Sequence, residues 1–328
     1  MWMPTQPPTL GRLLAWHPQP IPLLELLCIA ALLLYVAAVL RLRSNGVRWP
    51  LLRTIAFAGG VGSTLLVVST GVGGYSMQLF SVHMAQHMVL SMVAPIFLLL
   101  GAPVTLALRV LRPRGRPRRA VLAVVHSRFV NVVSSGLFST PLFILSLFGL
   151  YFTPLFDVLM SSWWGHFYML VHFIAVGLLY YWPILGMDPN PRNPQPLTRL
   201  GQLIIAMPFH AFFGIALMSS PTTMTALAAP AGWNLDPLRD QYIAGGIAWA
   251  TGELPALIVA SVIAIQWVRS DARLARTYDR QAARDGDAEL HQYNEHLARL
   301  ASLDPIADGR TGSRSRPVTE AHSATWAH

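Results

Sequence analysis

The stretch Leu79-Phe80-Ser81-Val82-His83-Met84-Ala85-Gln86-His87-Met88-Val89-Leu90-Ser91-Met92-Val93-Ala94-Pro95-Ile96-Phe97-Leu98-Leu99-Leu100 contains no Asp, Glu, Lys or Arg. At about 1.5 Å of helical rise per residue it is long enough to cross a hydrocarbon core of roughly 30 Å. The stretch is therefore expected to be a membrane helix. His83 and His87 lie one turn apart in it, so both rings leave one face. Met84 and Met88 repeat that spacing on the adjacent stripe, and Met92 extends it. Imidazoles at membrane depth are costly and usually mark function. Neutral imidazole and thioether together form a soft donor set suited to copper, above all Cu(I).

The rest of the chain agrees with a membrane setting. Its 328 residues are 53% hydrophobic and only 12% charged, with mean hydropathy +0.45. A soluble domain carries about 25% charged residues. Seven apolar stretches have spanning length: Ile21–Leu40, Leu51–Thr70, Leu79–Leu100, Val130–Tyr151, Trp163–Leu185, Leu200–Ser220 and Tyr242–Val268. The expected fold is an all-α bundle of seven transmembrane helices. Residues 1–20 form a segment before the bundle, 21–268 the bundle, and 269–328 a tail. In the tail Leu290, Tyr293, Leu297 and Leu300 recur at helical spacing and predict a short amphipathic helix. Beyond about residue 304 the composition predicts disorder.

All the basic side chains are Arg, and their placement predicts orientation. Arg41, Arg43, Arg48, Arg53, Arg109, Arg112, Arg114, Arg116, Arg118, Arg119, Arg128, Arg192 and Arg199 fall in alternate connections; the opposite side has only Arg12 and Arg239. Positive connections stay in the cytoplasm, so the N-terminus is expected outside and the C-terminus inside. The net charge of +9 is thereby assigned to membrane orientation, with no nucleic-acid partner. A cleavable signal peptide over residues 1–40 is disfavoured because the basic cluster follows the apolar run. Cys28 is the single cysteine, which excludes an intramolecular disulfide and a CxxC metal site.

This topology places the polar groups by depth. His83 and His87 lie in the outer half of the third span. His166 lies at the outer mouth of the fifth span, His172 about one and a half turns deeper, and Met169 between them. His210 lies near the midplane of the sixth span, with Met207 one turn away. Glu253 is near the middle of the seventh span and Asp240 at its outer mouth, with His210 the nearest partner for Glu253 by depth. The expected metal set is His83, His87, His166, His172, His210, Met84, Met88 and Met169, supported by Asp240 and Glu253. The competing account of each histidine is an interhelical hydrogen bond, worth roughly 1 kcal/mol. His17, His126 and the tail residues His291, His296, His322 and His328 read as structural or surface groups, and Cys28 as core.

The chain also resembles the CtaG family of bacterial cytochrome c oxidase assembly factors, first associated with caa3-type oxidases. The resemblance rests on Tyr75-Ser76 through His83 to Met88, Ala94-Pro95 and Leu100-Gly101-Ala102-Pro103. It continues in Tyr151-Phe152-Thr153-Pro154-Leu155, His166, His172, Trp182-Pro183-Ile184-Leu185-Gly186 and Asp188-Pro189. Its last part is Met207-Pro208-Phe209-His210, Asp240-Gln241, Ala244-Gly245, Trp249 and Gly252-Glu253-Leu254-Pro255. The resemblance implies a multi-pass protein of the bacterial plasma membrane that matures the oxidase, in particular its copper centres, with oxidase subunits as partners.

Two other functions stay open. A copper transport or resistance permease needs ligands across the whole membrane, and these thin out below His210. A b-type haem protein needs two histidines at equal depth, for which His87 and His172 qualify. The sequence has no nucleophile–base pair, phosphate loop or metalloprotease motif, so an enzyme is not expected.

Overall fold

The computed structural model describes residues 2–18, 21–192, 194–286 and 288–303. Among these residues there is no strand; Trp16 and Thr70 form one isolated antiparallel bridge. The principal helices are α1 (Leu23–Ser44), α2 (Leu51–Ser69), α3 (Phe80–Met88), α4 (Ala94–Leu100), α5 (Pro103–Val110), α6 (Gly136–Tyr151), α7 (Trp163–Leu185), α8 (Pro196–Ser219), α9 (Pro237–Asp285) and α10 (Ala288–Leu303). A wide π turn, Val89–Val93, joins α3 to α4, and α3 through α5 together form the third apolar run. Six helices are long and apolar enough to cross a membrane, and a bent pair ending in α6 brings the number to seven if it counts as one span. The chain divides into two compact units, Met1–Trp267 and Val268–His328.

The third stretch, expected to end at Leu100, continues through α5 to Val110, and two further boundaries move. The fourth apolar stretch was expected to start at Val130, but α6 starts at Gly136, bent 62° from the helical segment Arg116–Val133. Ser135 is extended there, and Arg192 Nε donates to the carbonyl and side chain of Asn131, which ties that turn to the next connection. The seventh stretch was expected to end at Val268, but α9 runs on to Asp285. The sequence after Arg269 is polar yet rich in Ala and Arg, which are good helix formers. Gly286, at φ +61°, follows its last residue. The amphipathic helix expected in the tail is α10; residues 304–328, with His322 and His328, lie outside the described residues.

Small residues allow the close contacts of the first unit. A Cβ on Gly60 of α2 would stand 2.7 Å from the Leu98 backbone nitrogen of α4, and one on Gly177 of α7 would stand 2.2 Å from the Ser91 carbonyl. The third apolar run is thus clasped between α2 and α7 at backbone distance. This is how membrane helices gain packing where lipid gives no hydrophobic drive between them. Gly214 of α8 and Gly245 of α9 oppose each other in the same way, at 2.7 and 2.6 Å. Large apolar side chains such as Leu34, Leu66, Leu137 and Ile205 are left exposed, as a lipid-facing surface requires.

Both starts in the third run are capped from distant positions. Asp240 accepts from the backbone N–H of Phe80 at 2.6 Å and of Ser81 at 3.3 Å, and from the Ser81 hydroxyl. Asp188 accepts from Val104 N–H at 3.2 Å, Thr105 N–H at 2.7 Å and the Thr105 hydroxyl at 2.6 Å. Each carboxylate satisfies helix N–H groups that have no partner within their helix. Asp188 lies beyond the end of α7. Burial raises its carboxyl above the ordinary carboxylate value, while its Thr105 and Val104 donors and nearby Arg53 oppose that rise.

Candidate functional site

His83 and His87 are 0% and 4% exposed, inside the core beside Met84, Met88 and Met169. Asp240 fixes the start of their helix, and Gln86 between them donates to the Val67 carbonyl of α2 at 2.7 Å. The π turn begins immediately after this pair, where the Ser91 hydroxyl donates to the His87 carbonyl at 2.8 Å. Wide turns of this kind occur mostly as single features within helices and often at functional positions.

The two rings converge on one oxygen. His83 Nε2 lies 2.9 Å from the Tyr151 hydroxyl, and His87 Nδ1 lies 3.4 Å from it. Aromatic edges and faces complete the enclosure: His83 meets Phe156 at 4.9 Å and His87 meets Phe173 at 3.8 Å between ring centroids, both nearly perpendicular. His83 Nδ1 has no hydrogen-bond partner. Tyr151 stands in the matching stretch Tyr151-Phe152-Thr153-Pro154-Leu155, yet nothing in its spacing marks it as a partner of residues 64 and 68 positions earlier.

The other expected site residues have different surroundings. His166 is fully buried, neither ring nitrogen has a partner, and it lies within electrostatic range of His83. His210 shares with His87, Ser91, Phe143 and Phe173 a cavity of about 10 Å³, room for one water. His172 Nε2 bonds the Ser146 hydroxyl at 3.0 Å in a half-buried position, and Ser146 lines the cavity of His87 and His210. Glu253 does not face His210. It is exposed and accepts from Trp249 Nε1 at 2.9 Å, whereas the preceding residue, Gly252, backs onto the His210 ring. One residue along a helix turns a side chain by about 100°, so a match of depth did not secure a match of face. Asp240 caps the start of α3.

Of the histidines read as structural or surface groups, His17 stacks on Trp2 at 3.9 Å between ring centroids, and His126 Nδ1 bonds the Leu122 carbonyl one turn back. Among the described residues no three His, Cys, Asp or Glu side chains form a group able to hold a metal ion. A metal at the centre would therefore draw on the two converging imidazoles. Glu25, buried in the first turn of α1, was missed by the sequence reading because it stands at the edge of an apolar run.

The chain is similar to proteins of three mycobacteria. It is 41% identical over 312 residues to an uncharacterized protein of Mycobacterium tuberculosis and to one of Mycobacterium bovis, covering 91% of this chain and 46% of each relative. A Mycobacterium leprae protein is 41% identical over 278 residues, covering 82% of this chain and 42% of that relative. The chain thus spans about half the length of the curated relatives it matches. No solved structure matches it. The profile of the cytochrome c oxidase caa3 assembly factor family matches residues 33–270, which include the π turn, the His83–His87–Tyr151 cluster, His166 and His210. The chain belongs to the cytochrome c oxidase caa3 assembly factor family.

Proposed function

We propose that this protein supports maturation of a cytochrome c oxidase in the bacterial plasma membrane, and that His83 and His87 hold Cu(I) as cargo for an oxidase copper centre. The observation that carries the proposal is the convergence of His83 Nε2 and His87 Nδ1 on one buried point, the Tyr151 hydroxyl. Two imidazole nitrogens facing one locus suit a soft monovalent ion when the hydroxyl gives way. Met84, Met88 and Met169 in the same core supply thioethers without a buried charge. Family membership supports the oxidase as partner.

The test is copper content of the full chain purified under reducing conditions, read beside oxidase activity in cells. His83→Gln and His87→Gln keep a hydrogen-bonding side chain but lose the ligand nitrogen. Both are expected to lose copper and oxidase activity, as the Ala variants do, while Tyr151→Phe retains copper. If the Gln variants keep copper and activity while the Ala variants lose them, the cluster is a hydrogen-bond network and the copper assignment fails. Loss of copper on Tyr151→Phe alone, with the protein folded, overturns it equally.

A further inference from the structure

A cavity of about 620 Å³ opens where α6 and α8 begin and α7 ends, and it shares no residue with the histidine cluster. This volume is in the range of small-molecule sites. Ser134, Ser135, Thr140 and Thr198 bring hydroxyls to its wall and Arg192 a guanidinium; among the described residues no Asp or Glu lines it. Ser134 and Thr140 are 1% and 7% exposed, and neither hydroxyl has a hydrogen-bond partner. Buried hydroxyls are ordinarily satisfied, so two unpartnered ones on one cavity wall mark a place for a polar ligand.

The surroundings favour an anion. Gly136 and Leu137 start α6 and Thr198 lies in the first turn of α8, so two helix N-termini meet the cavity. The residues before them, Ser135 and Gln195, give no side-chain cap. The first N–H groups of each helix therefore lack an internal partner, and the positive ends of both dipoles attract negative charge. Asn131 holds Arg192 by its Nε at 3.0 Å, and among the hydrogen bonds described the two terminal nitrogens of Arg192 make none. The rest of the wall is apolar. Leu137 and Ile205 line the cavity and are 91% and 58% exposed, so it opens on the apolar surface that faces lipid.

We propose that this cavity binds the phosphate of an anionic phospholipid, with Ser134, Thr140 and Arg192 as donors and the acyl chains leaving past Leu137 and Ile205. An opening among lipid-facing side chains favours a lipid over a free phosphate ion. Arg placement predicts this end to be cytoplasmic, and anionic lipids of that leaflet are held by basic pockets between helices. The expected fourth span ran through Ser134 and Ser135; the bend before Gly136 sets both on the cavity wall instead.

The test uses the full chain, delipidated in detergent. Phosphatidylglycerol and phosphatidylcholine are titrated separately and bound lipid is counted by native mass spectrometry; inorganic phosphate is titrated by calorimetry. Wild type is expected to retain one phosphatidylglycerol in preference to phosphatidylcholine and to bind inorganic phosphate far more weakly. Arg192→Gln should weaken phosphatidylglycerol binding at least about tenfold, the worth of one hydrogen bond to a charged group. The Ser134→Ala/Thr140→Val double variant removes two hydroxyls that have no protein partner, and should weaken binding by a similar factor. It decides the matter alone if Arg192→Gln, which also loses the Asn131 contact, does not fold. Arg48→Gln, in another Arg-rich connection, should leave binding unchanged. Equal retention of both lipids, or unchanged phosphatidylglycerol binding in the hydroxyl variant, overturns the proposal. So does an equal loss in Arg48→Gln, which means a general attraction of the positive surface. Inorganic phosphate bound as tightly as phosphatidylglycerol assigns the cavity to a free anion and overturns the lipid.

Discussion

At the scale of single residues, the Tyr151 hydroxyl is the group on which His83 and His87 converge. Its two contacts, at 2.9 and 3.4 Å, span helices α6 and α3. Tyr151→Phe removes the hydroxyl and leaves both imidazole nitrogens facing each other without a partner. The expected cost is about 1–2 kcal/mol, because a buried polar group left unpaired loses its solvation, although interhelical hydrogen bonds in membranes are individually modest. That is a lowered midpoint of thermal unfolding in detergent, with the protein still folded. Glu253→Gln is the contrasting case. Its carboxylate is exposed and bonds only Trp249 among the hydrogen bonds described, so the midpoint should move by no more than about 0.5 kcal/mol in equivalent stability. A large loss on Glu253→Gln and none on Tyr151→Phe would reverse these two roles.

At the scale of helices, the position of His83 and His87 depends on what holds α3 at its start and along its continuation. Asp240, on α9, satisfies the first N–H groups of α3 from 160 positions away. Asp240→Ala should cost about 1 kcal/mol, the usual worth of such a cap, and should reduce copper retention by loosening the first turn before His83. Asp240→Asn keeps an acceptor oxygen and should fall between. The continuation is less forgiving. Gly177→Ala would put a methyl carbon 2.2 Å from the Ser91 carbonyl, a backbone atom that cannot rotate away. The level of protein in the membrane should therefore fall much further with Gly177→Ala than with Asp240→Ala. Equal levels would show that α7 and the π turn are not in fixed contact.

At the scale of the whole molecule, Arg placement predicts how the bundle is oriented in the membrane, with the start of α3 outside. Thirteen Arg residues fall in one set of connections and two in the other. Reporter fusions after Arg119 and after Met224 should report cytoplasm and exterior respectively. Such an orientation would place the His83–His87 pair toward the outer face. The opposite reporter pattern would place them toward the cytoplasm and remove the argument for delivery to an outward-facing copper centre.

Amino-acid order alone determined the helical class, the approximate spans and the cluster of histidines on the third apolar run. These follow from local quantities: hydropathy over about 20 residues and the 3.6-residue repeat. Trp163–Leu185 was legible to the residue for that reason. Tertiary structure decided what each polar group meets. It paired His83 and His87 with Tyr151, bonded His172 to Ser146, turned Glu253 to Trp249 and set Glu25 on the cavity of His166. It also placed the bend before Gly136 and the continuation of α9 to Asp285. Depth along a span is a one-dimensional property that a sequence carries. Which face of which neighbouring helix a side chain meets depends on rotation and close approach, set here by glycines such as Gly60 and Gly177 against backbone atoms far away in the chain.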